Sequence, residues 1–266
     1  MPVETHIDSA LSRVERERTH VDEERQAYER FHSGVASLSP KPATAASVNP
    51  STAGGCFSVS GGSQSESTTT DSRRIRELFA ETVHKYSVAD LDAKESLLET
   101  IQEELGDPIA FVLAPGTDAE VTTQIQSAIC ATTQQRRREL DAMGSALDRE
   151  RESLQAAAND CQTITEWVVD HNQTSLLELG FPELRRCHEQ LSTHRDRCEK
   201  RLLARQETIQ ATTSRDAQLS LKHRLLVRYL YQEFPVSYPI LSTLTRLESV
   251  LADCQRTVRD HLTRRV

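Results

Sequence analysis

The chain has 266 residues, of which 37% are hydrophobic, 27% charged and 5% aromatic. So small an apolar fraction disfavours a thick central core and suits elongated helices that each bury one stripe of side chains. The formal net charge of −8 argues against a dominant nucleic-acid role, because phosphate binding needs a concentrated positive surface. No apolar stretch approaches the ~20 residues of a membrane span, and no targeting signal opens the chain. We therefore expect a cytoplasmic protein without a membrane span.

The first 71 residues predict a helix followed by a linker. Residues 1–32 show the pattern of an amphipathic helix, with Ile7, Val14 and Phe31 on its apolar face. Residues 33–71 are rich in Ser, Thr, Ala, Gly and Pro and have almost no apolar periodicity, which predicts a disordered linker. Such a linker is long enough for the first helix to dock on its own chain or on a neighbouring subunit.

Residues 72–115 predict a short helical pair, over about 72–86 and 90–105. Gly106-Asp107-Pro108 ends the second helix. A pair of short helices is also found in DNA-reading helix-turn-helix motifs, but a recognition helix must approach phosphates and this second helix is acidic. Its carboxylates belong to Asp92, Glu95, Glu99, Glu103 and Glu104.

A ladder of positions at alternating steps of three and four is the main signal in residues 116–266. It predicts a long helix with one narrow stripe that faces a partner helix, as in coiled coils. Gly180 then predicts a left-handed residue just past the helix end, and Pro182 suits the first turn of a returning helix, so the chain would reverse in a tight hairpin. The ladder consists of Leu140, Met143, Leu147, Glu150, Leu154, Ala157, Cys161, Ile164 and Val168.

The returning helix carries an apolar stripe of its own, which includes Leu184, Leu191 and Leu202. Two further helices, over about 217–232 and 238–264, follow it and are separated by proline-containing turns. The predicted fold is therefore all-α, a long antiparallel coiled-coil-like helical hairpin with additional packed helices, of the helical-bundle type. Residues 116–266 hold this hairpin and the C-terminal helical pair.

Four stretches of the chain are similar to one known family. They are Leu177–Phe181, His194–Cys198, Tyr229–Pro235 and Cys254–Leu262. Through them the chain resembles a family of proteins from halophilic archaea that has no assigned activity, and the likeness covers most of the chain except the linker. The resemblance implies a helical protein of a salty cytoplasm and supplies no catalytic residues.

The six cysteines include no Cys-x-x-Cys motif, and all except Cys56 fall in predicted helices, where free cysteine acts as a small hydrophobic residue. A sharper hypothesis follows from the hairpin, because antiparallel pairing would place Cys161 level with about residue 200. Cys161, His194 and Cys198 would then form a candidate zinc or redox site, although the motif has little specificity.

Two other residues of the long helix stand out. Glu150 occupies an apolar position of the ladder, where an acid destabilises the seam unless it is paired and where polar residues often fix the register. The alternative is that the partner helix ends there and leaves Glu150 exposed. Trp167 lies beside the seam and is interpreted as a packing residue, with ligand stacking as the alternative.

The chain contains no phosphate-binding glycine loop, nucleophile elbow or metalloprotease helix. We therefore expect a non-enzymatic helical interaction or assembly protein with a protein partner or a second copy of itself, without a cofactor and without nucleic acid. Two other classes stay open. One is a metal- or redox-responsive binding module that uses the cysteine and histidine candidates. The other is a weak nucleic-acid-associated regulator that uses the arginine clusters Arg136, Arg137, Arg138 and Arg256, Arg259, Arg264, Arg265.

Overall fold

The computed structural model of the chain describes residues 6–39, 65–87, 96–117, 120–210 and 223–264. Every secondary-structure element in these ranges is an α-helix, which confirms the predicted all-α class. The helices are α1 (His6–Ala36), α2 (Ser65–Glu81), α3 (His84–Ser87), α4 (Leu97–Leu105), α5 (Asp107–Leu113), α6 (Thr123–His171), α7 (Phe181–Gln210), α8 (His223–Leu230) and α9 (Pro239–Thr263).

The chain divides into two compact units. One consists of Met1–His20 with Ala142–Val266, and the other of Val21–Asp141. The boundaries predicted from composition follow the order of the chain, whereas these units are defined by which residues pack together. As a result α1 and α6 each contribute residues to both units.

In the first unit α6 and α7 pair in antiparallel order along the predicted ladder. Asp160 of α6 accepts hydrogen bonds from Arg197 and Arg201 of α7 at 2.6 and 2.7 Å. This register agrees with the predicted pairing of Cys161 with about residue 200. The ladder residues without exposed surface are Leu147, Glu150, Leu154, Ala157 and Ile164.

The last helix of the first unit, α9, packs against α7 through polar contacts as well as apolar ones. Arg195 donates to one carboxylate oxygen of Glu248 at 2.7 and 2.9 Å and to the side-chain oxygen of Gln255 at 2.8 Å. The amide of Gln255 in turn donates to the backbone carbonyl of His188 at 3.4 Å. The short helix α8 adds a buried apolar face formed by Leu226, Val227 and Leu230.

In the second unit α1 packs along the first part of α6. Nδ1 of His32 lies 3.2 Å from the hydroxyl of Thr133. The rings of Phe31 and Phe79 meet edge to face with centroids 5.3 Å apart, which connects α1 with α2. Residues of the predicted N-terminal docking helix therefore pack against their own chain.

The short helices α4 and α5 meet at a sharp turn. Ser96 caps α4, since its hydroxyl accepts from the backbone N–H of Glu99 while the Glu99 carboxylate accepts from the N–H of Ser96. Gly106 ends α4 with a φ of +92°, a backbone conformation that side-chain-bearing residues rarely adopt. Pro108 in the first turn then starts α5, a helix that the apolar pattern did not predict.

The predicted linker 33–71 is too long at both ends. Helix α1 continues to Ala36 and α2 begins at Ser65, while residues 40–64 lie outside the described residues. Extending an existing helix costs less than nucleating one, so a packed helix continues into neighbouring residues of weak propensity. The predicted helices 90–105 and 217–232 also fall partly outside the described residues, and their described parts begin at Leu97 and His223.

The hairpin turn differs from the prediction at Gly180. Helix α6 ends at His171, so residues 172–180 form the turn and the hairpin is not tight. Gly180 has no positive φ and caps the start of α7 instead of the end of α6. Its carbonyl accepts from the N–H groups of Glu183 and Leu184, and its own N–H donates to the Glu183 carboxylate at 2.7 Å. An acid three residues into a helix reaches back in this way in capping boxes.

Replacing Leu154 tests whether the α6 stripe is the core of the first unit. Leu154 has no exposed surface, so Leu154→Ala is expected to lower the free energy of unfolding by about 2–5 kcal/mol. Leu203, which is 54% exposed on α7, supplies the control, and Leu203→Ala is expected to change it by less than about 0.5 kcal/mol. Urea denaturation followed by circular dichroism measures both, and equal losses would contradict the described packing.

Candidate functional site

Glu150, the acid in the α6 ladder, has no exposed surface and accepts four hydrogen bonds. Arg205 of α7 donates two of them, from Nη1 to Oε2 at 2.7 Å and from Nη2 to Oε1 at 2.8 Å. Nε2 of His223 in α8 lies 2.9 Å from Oε2, and the hydroxyl of Tyr231, just after α8, donates to Oε1 at 2.6 Å. These four residues form the Glu150 cluster. Of the two alternatives for Glu150, the structure therefore shows the paired acid, and the alternative of an exposed Glu150 is wrong.

The Glu150 cluster holds its carboxylate in the charged form. Burial alone would raise the pKa of Glu150, but the hydrogen bond from His223 and the charge and hydrogen bonds of Arg205 outweigh it and lower the pKa to about 2. Burial and the nearby Glu150 charge raise the pKa of Tyr231. Glu150 is therefore ionised at neutral pH, and the Tyr231 hydroxyl keeps the proton that it donates.

The hydrogen bonding of Glu150 argues for a structural role. An ionised carboxylate offers about four acceptor positions, and all of them are used. Nε of Arg205 and Nδ1 of His223 are buried without a hydrogen-bond partner among the described residues. The carboxylate oxygens of the cluster are therefore fully hydrogen-bonded, whereas one nitrogen of each of these two partners is not. Its charged hydrogen bonds tie α6, α7 and α8 together.

Only part of the Glu150 cluster had a signal in the sequence. If Cys161 is level with about residue 200, Glu150 is level with about residue 211, which is within two helical turns of Arg205. The predicted antiparallel register was therefore the signal that could have identified Arg205 as a partner. His223 and Tyr231 are 73 and 81 residues from Glu150. No periodic pattern links positions so far apart on separate helices.

Two of the residues predicted as metal or redox ligands, Cys161 and Cys198, are buried free thiols of the α6–α7 pair. Burial, and then the nearby Cys198, raises the pKa of Cys161 to about 11. Burial likewise raises the pKa of Cys198 to about 11. Both thiols are therefore protonated at neutral pH, which agrees with their interpretation as small hydrophobic residues.

The third predicted ligand, His194, packs against Trp167 with ring centroids 4.9 Å apart, and Trp167 stacks on His171 at 4.2 Å. Nε2 of His194 is buried without a hydrogen-bond partner in the described part of the chain, and burial lowers the pKa of the ring. Among the described residues, no group of three or more His, Cys, Asp or Glu side chains is placed to hold a metal ion. A zinc or redox role stays a prediction, which metal analysis of the untagged protein would test.

Two cavities lie at the turn between α6 and α7. They share Trp167, His171, Thr174 and Cys187 in their walls and have volumes of 690 and 280 Å³. The region formed by residues 167–191, with the facing α9 residues 254–258, is named the hairpin end. The smaller cavity is mostly apolar, and its apolar walls include Val168, Leu176, Leu191 and Val258.

The hairpin end also exposes large apolar side chains and carries an acidic excess. Leu177, Val169 and Phe181 are 73%, 59% and 46% exposed. Three carboxylates and a single arginine line the larger cavity, and Arg185 pairs with one of the carboxylates, that of Glu189, at 2.9 Å, so an excess of about one negative charge is left. The residues concerned are Asp170, Glu183, Glu189 and Arg186. A partly apolar surface with charged residues around it is the usual composition of an interface.

Three of the seven arginines considered for nucleic-acid binding contact carboxylates of the chain, and Arg265 lies outside the described residues. Arg136 pairs with Glu24 at 3.1 Å and Arg137 pairs with Glu29. Arg256 pairs with an acid three residues before it at 3.0 Å. These acidic partners dilute the positive charge that phosphate binding requires.

The fold and the site together define an all-α helical bundle whose seam contains a compensated buried carboxylate and whose hairpin end carries open cavities. No helix of the described ranges is long and apolar enough to cross a membrane. The chain belongs to the family described as Domain of unknown function (DUF7260), whose model matches residues 5–255. Neither the curated proteins nor the solved structures give a match.

Neutralising Glu150 tests the energetic role of the Glu150 cluster. Glu150→Gln keeps the shape but leaves the buried Arg205 charge unpaired, so a loss of about 3–5 kcal/mol in the free energy of unfolding is expected. Glu152→Gln, at an exposed position of the same helix, is the control and is expected to lose less than about 0.5 kcal/mol. Urea denaturation compares the two variants.

The double variant Glu150→Met with Arg205→Met tests whether the loss of stability comes from an unpaired buried charge. It is expected to lose less stability than Glu150→Gln alone, because no unpaired charge stays buried. If Glu150→Gln were as stable as Glu152→Gln, the described cluster would be contradicted.

The pH dependence of stability gives a separate test of Glu150. Folding lowers the pKa of Glu150 from its ordinary 4.5 to about 2, so the folded state holds this proton less tightly than the unfolded state. The resulting stabilisation, about 3 kcal/mol, is complete above pH 4.5 and is lost as the pH falls toward 2. The urea midpoint of the native protein, measured from pH 6 to pH 2.5, is expected to fall more steeply than that of Glu150→Gln. Parallel curves would contradict the lowered pKa.

Proposed function

We propose that this chain is a non-enzymatic interaction protein whose hairpin end docks a segment of another protein. The observation that carries the proposal is the juxtaposition of an apolar cavity, three exposed apolar side chains and an acidic border in one region. The partner segment would present an apolar side chain next to basic residues. A second copy of the chain is the alternative occupant that the experiment must distinguish.

The smaller cavity of the hairpin end supports an apolar anchor. Its volume of 280 Å³ is slightly below the ~300–1,000 Å³ range of sites for small molecules, so it suits a single large side chain. Trp167 borders this cavity, and buried aromatic contacts often dominate the energy of interfaces. The exposed Leu177 and Phe181 extend the apolar surface beyond the cavity.

The charge of the hairpin end supports a basic partner. Asp170 and Glu183 line the larger cavity beside the Trp167 ring. Acidic residues around an interface favour partners of opposite charge and accelerate their association. An acidic segment would be repelled by the same residues, so the proposed partner carries lysine or arginine near its apolar anchor.

The Glu150 cluster supports the proposal indirectly, because it makes the hairpin rigid. Charged hydrogen bonds fix α7 against α6, and a surface that is already ordered loses less entropy when it binds. In this proposal the Glu150 cluster has a structural role, and Glu150 takes part in no reaction. The all-α fold and the lack of a catalytic motif in the sequence both favour a helical scaffold that presents a fixed binding surface.

Site-specific photo-crosslinking tests the proposed docking surface. A benzophenone-bearing residue in place of Leu177 is expected to crosslink one partner in extract of the native host. The same probe at Leu203, an exposed leucine of α7 outside the hairpin end, should give no such product. Adding Asp170→Lys to the Leu177 probe is expected to reduce the adduct severalfold, because it reverses a charge beside the cavity and leaves the Glu183 cap intact.

Purified protein separates the two possible occupants. A crosslink between two copies, together with a concentration-dependent mass in light scattering, would assign the surface to self-assembly. A partner adduct from extract with a monomeric purified protein would assign it to a different protein. Identical adducts at Leu177 and Leu203, or none at Leu177, would refute the proposed docking at the hairpin end.

A further inference from the structure

We propose that a cationic cavity beside α8 is a second binding site, which takes a small molecule bearing a phosphate group. The cavity has a volume of 720 Å³ and is lined by residues of α8 and of the segment that leads into α9. This volume lies within the ~300–1,000 Å³ range of small-molecule sites. Among the described residues no acidic side chain lines it, whereas Arg224 and Arg228 do. In a chain with a net charge of −8, such a local excess of positive charge favours an anionic ligand.

The two arginines are arranged to act on one ligand. Arg224 and Arg228 are four residues apart on the exposed side of α8, and side chains at this spacing lie next to each other on a helix. Neither guanidinium is paired with a carboxylate in the described part of the chain. Arg205, by contrast, is neutralised by Glu150. Two adjacent guanidinium groups can each donate a pair of hydrogen bonds to phosphate oxygens.

The remaining polar groups of the cavity extend this set of donors. They are the amide of Gln232 and the hydroxyls of Ser237 and Tyr238. Tyr238 is the N-cap residue of α9, a helix of 25 residues, and makes no side-chain hydrogen bond to the first turn. The start of a helix carries a partial positive charge, which adds to that of the arginines. A phosphate group, which is rich in acceptors, matches this set.

The apolar walls leave room for an organic part of the ligand. Leu225 and the ring of Tyr231 complete the cavity, while the Tyr231 hydroxyl is held by Glu150 at 2.6 Å. One wall of the cavity is therefore fixed by the buried cluster. The cavity differs in charge from the acidic hairpin end, so this inference does not depend on the proposed function.

Calorimetric titration of the full chain tests the cavity with three probes: inorganic phosphate, inorganic pyrophosphate and AMP. We expect one-to-one binding of at least one of them. Arg224→Gln with Arg228→Gln is expected to weaken it by about tenfold for each arginine removed. The affinity of Arg224→Lys with Arg228→Lys should lie between those of the native chain and the glutamine variant, because lysine keeps the charge but lacks the planar guanidinium. Stronger binding of AMP than of phosphate would assign the site to an organic phosphate, and equal binding would assign it to the phosphate group alone.

The control replaces two exposed arginines outside the cavity, Arg151→Gln with Arg256→Gln, which changes the net charge by the same amount. It is expected to leave the affinity unchanged. Equal weakening by the control and by the cavity variant would overturn the proposal, because it would show general attraction to surface arginines. Absence of binding by all three probes to the native chain would overturn it as well. Circular dichroism verifies that each variant keeps its helical content.

Discussion

A buried carboxylate loses the hydrogen bonds of water, and in this chain α7, the start of α8 and the residue after α8 replace them. Arg205 supplies the opposite charge, and His223 and Tyr231 occupy the remaining acceptor positions of Glu150. Such a pair adds little stability over well-packed apolar residues, but it discriminates strongly against arrangements that separate the charges. A ladder of apolar residues repeats along the helix and tolerates more than one register. Sliding α7 by one turn, about 5.4 Å, would separate Arg205 from Glu150, so the ion pair selects the register.

The register set by this pair determines where the chain presents its surfaces. The acidic, apolar hairpin end and the cationic cavity beside α8 both belong to the first unit, and Glu150 is linked to α7 and to Tyr231 in the wall of that cavity. The net charge of −8 is an average over regions of opposite sign. The average charge therefore disfavours the binding of long polyanions such as nucleic acids. It does not exclude the binding of a small anion, because only the local potential acts over the dimensions of a cavity.

The sequence predicts those features that depend on periodicity and fails where contacts join distant helices. The three-four ladder predicts the seam because side-chain direction in a helix follows position. The antiparallel register follows from the predicted chain reversal near Gly180 and Pro182. Gly180 was misassigned because a glycine between two helices can end one or begin the next, and Glu183, three residues later, was the signal that decides between them. The apolar run of α5 is too short for its periodicity to identify a helix. His223 and Tyr231 could not be predicted as partners of Glu150, since their approach depends on how α8 packs.

The antiparallel pairing of α6 and α7 also affects the entropy of assembling the buried cluster. Asp160 and Arg197 are 37 residues apart, Glu150 and Arg205 are 55 apart, and Glu150 and Tyr231 are 81 apart. The entropic cost of closing a loop grows with the logarithm of its length, so the step from the shortest to the longest of these closures adds only about 0.7 kcal/mol. Each contact that forms nearer the turn also shortens the chain left free for the next one. A polar cluster drawn from distant positions is therefore compatible with folding from mainly local contacts, because the helical seam brings its members together in sequence.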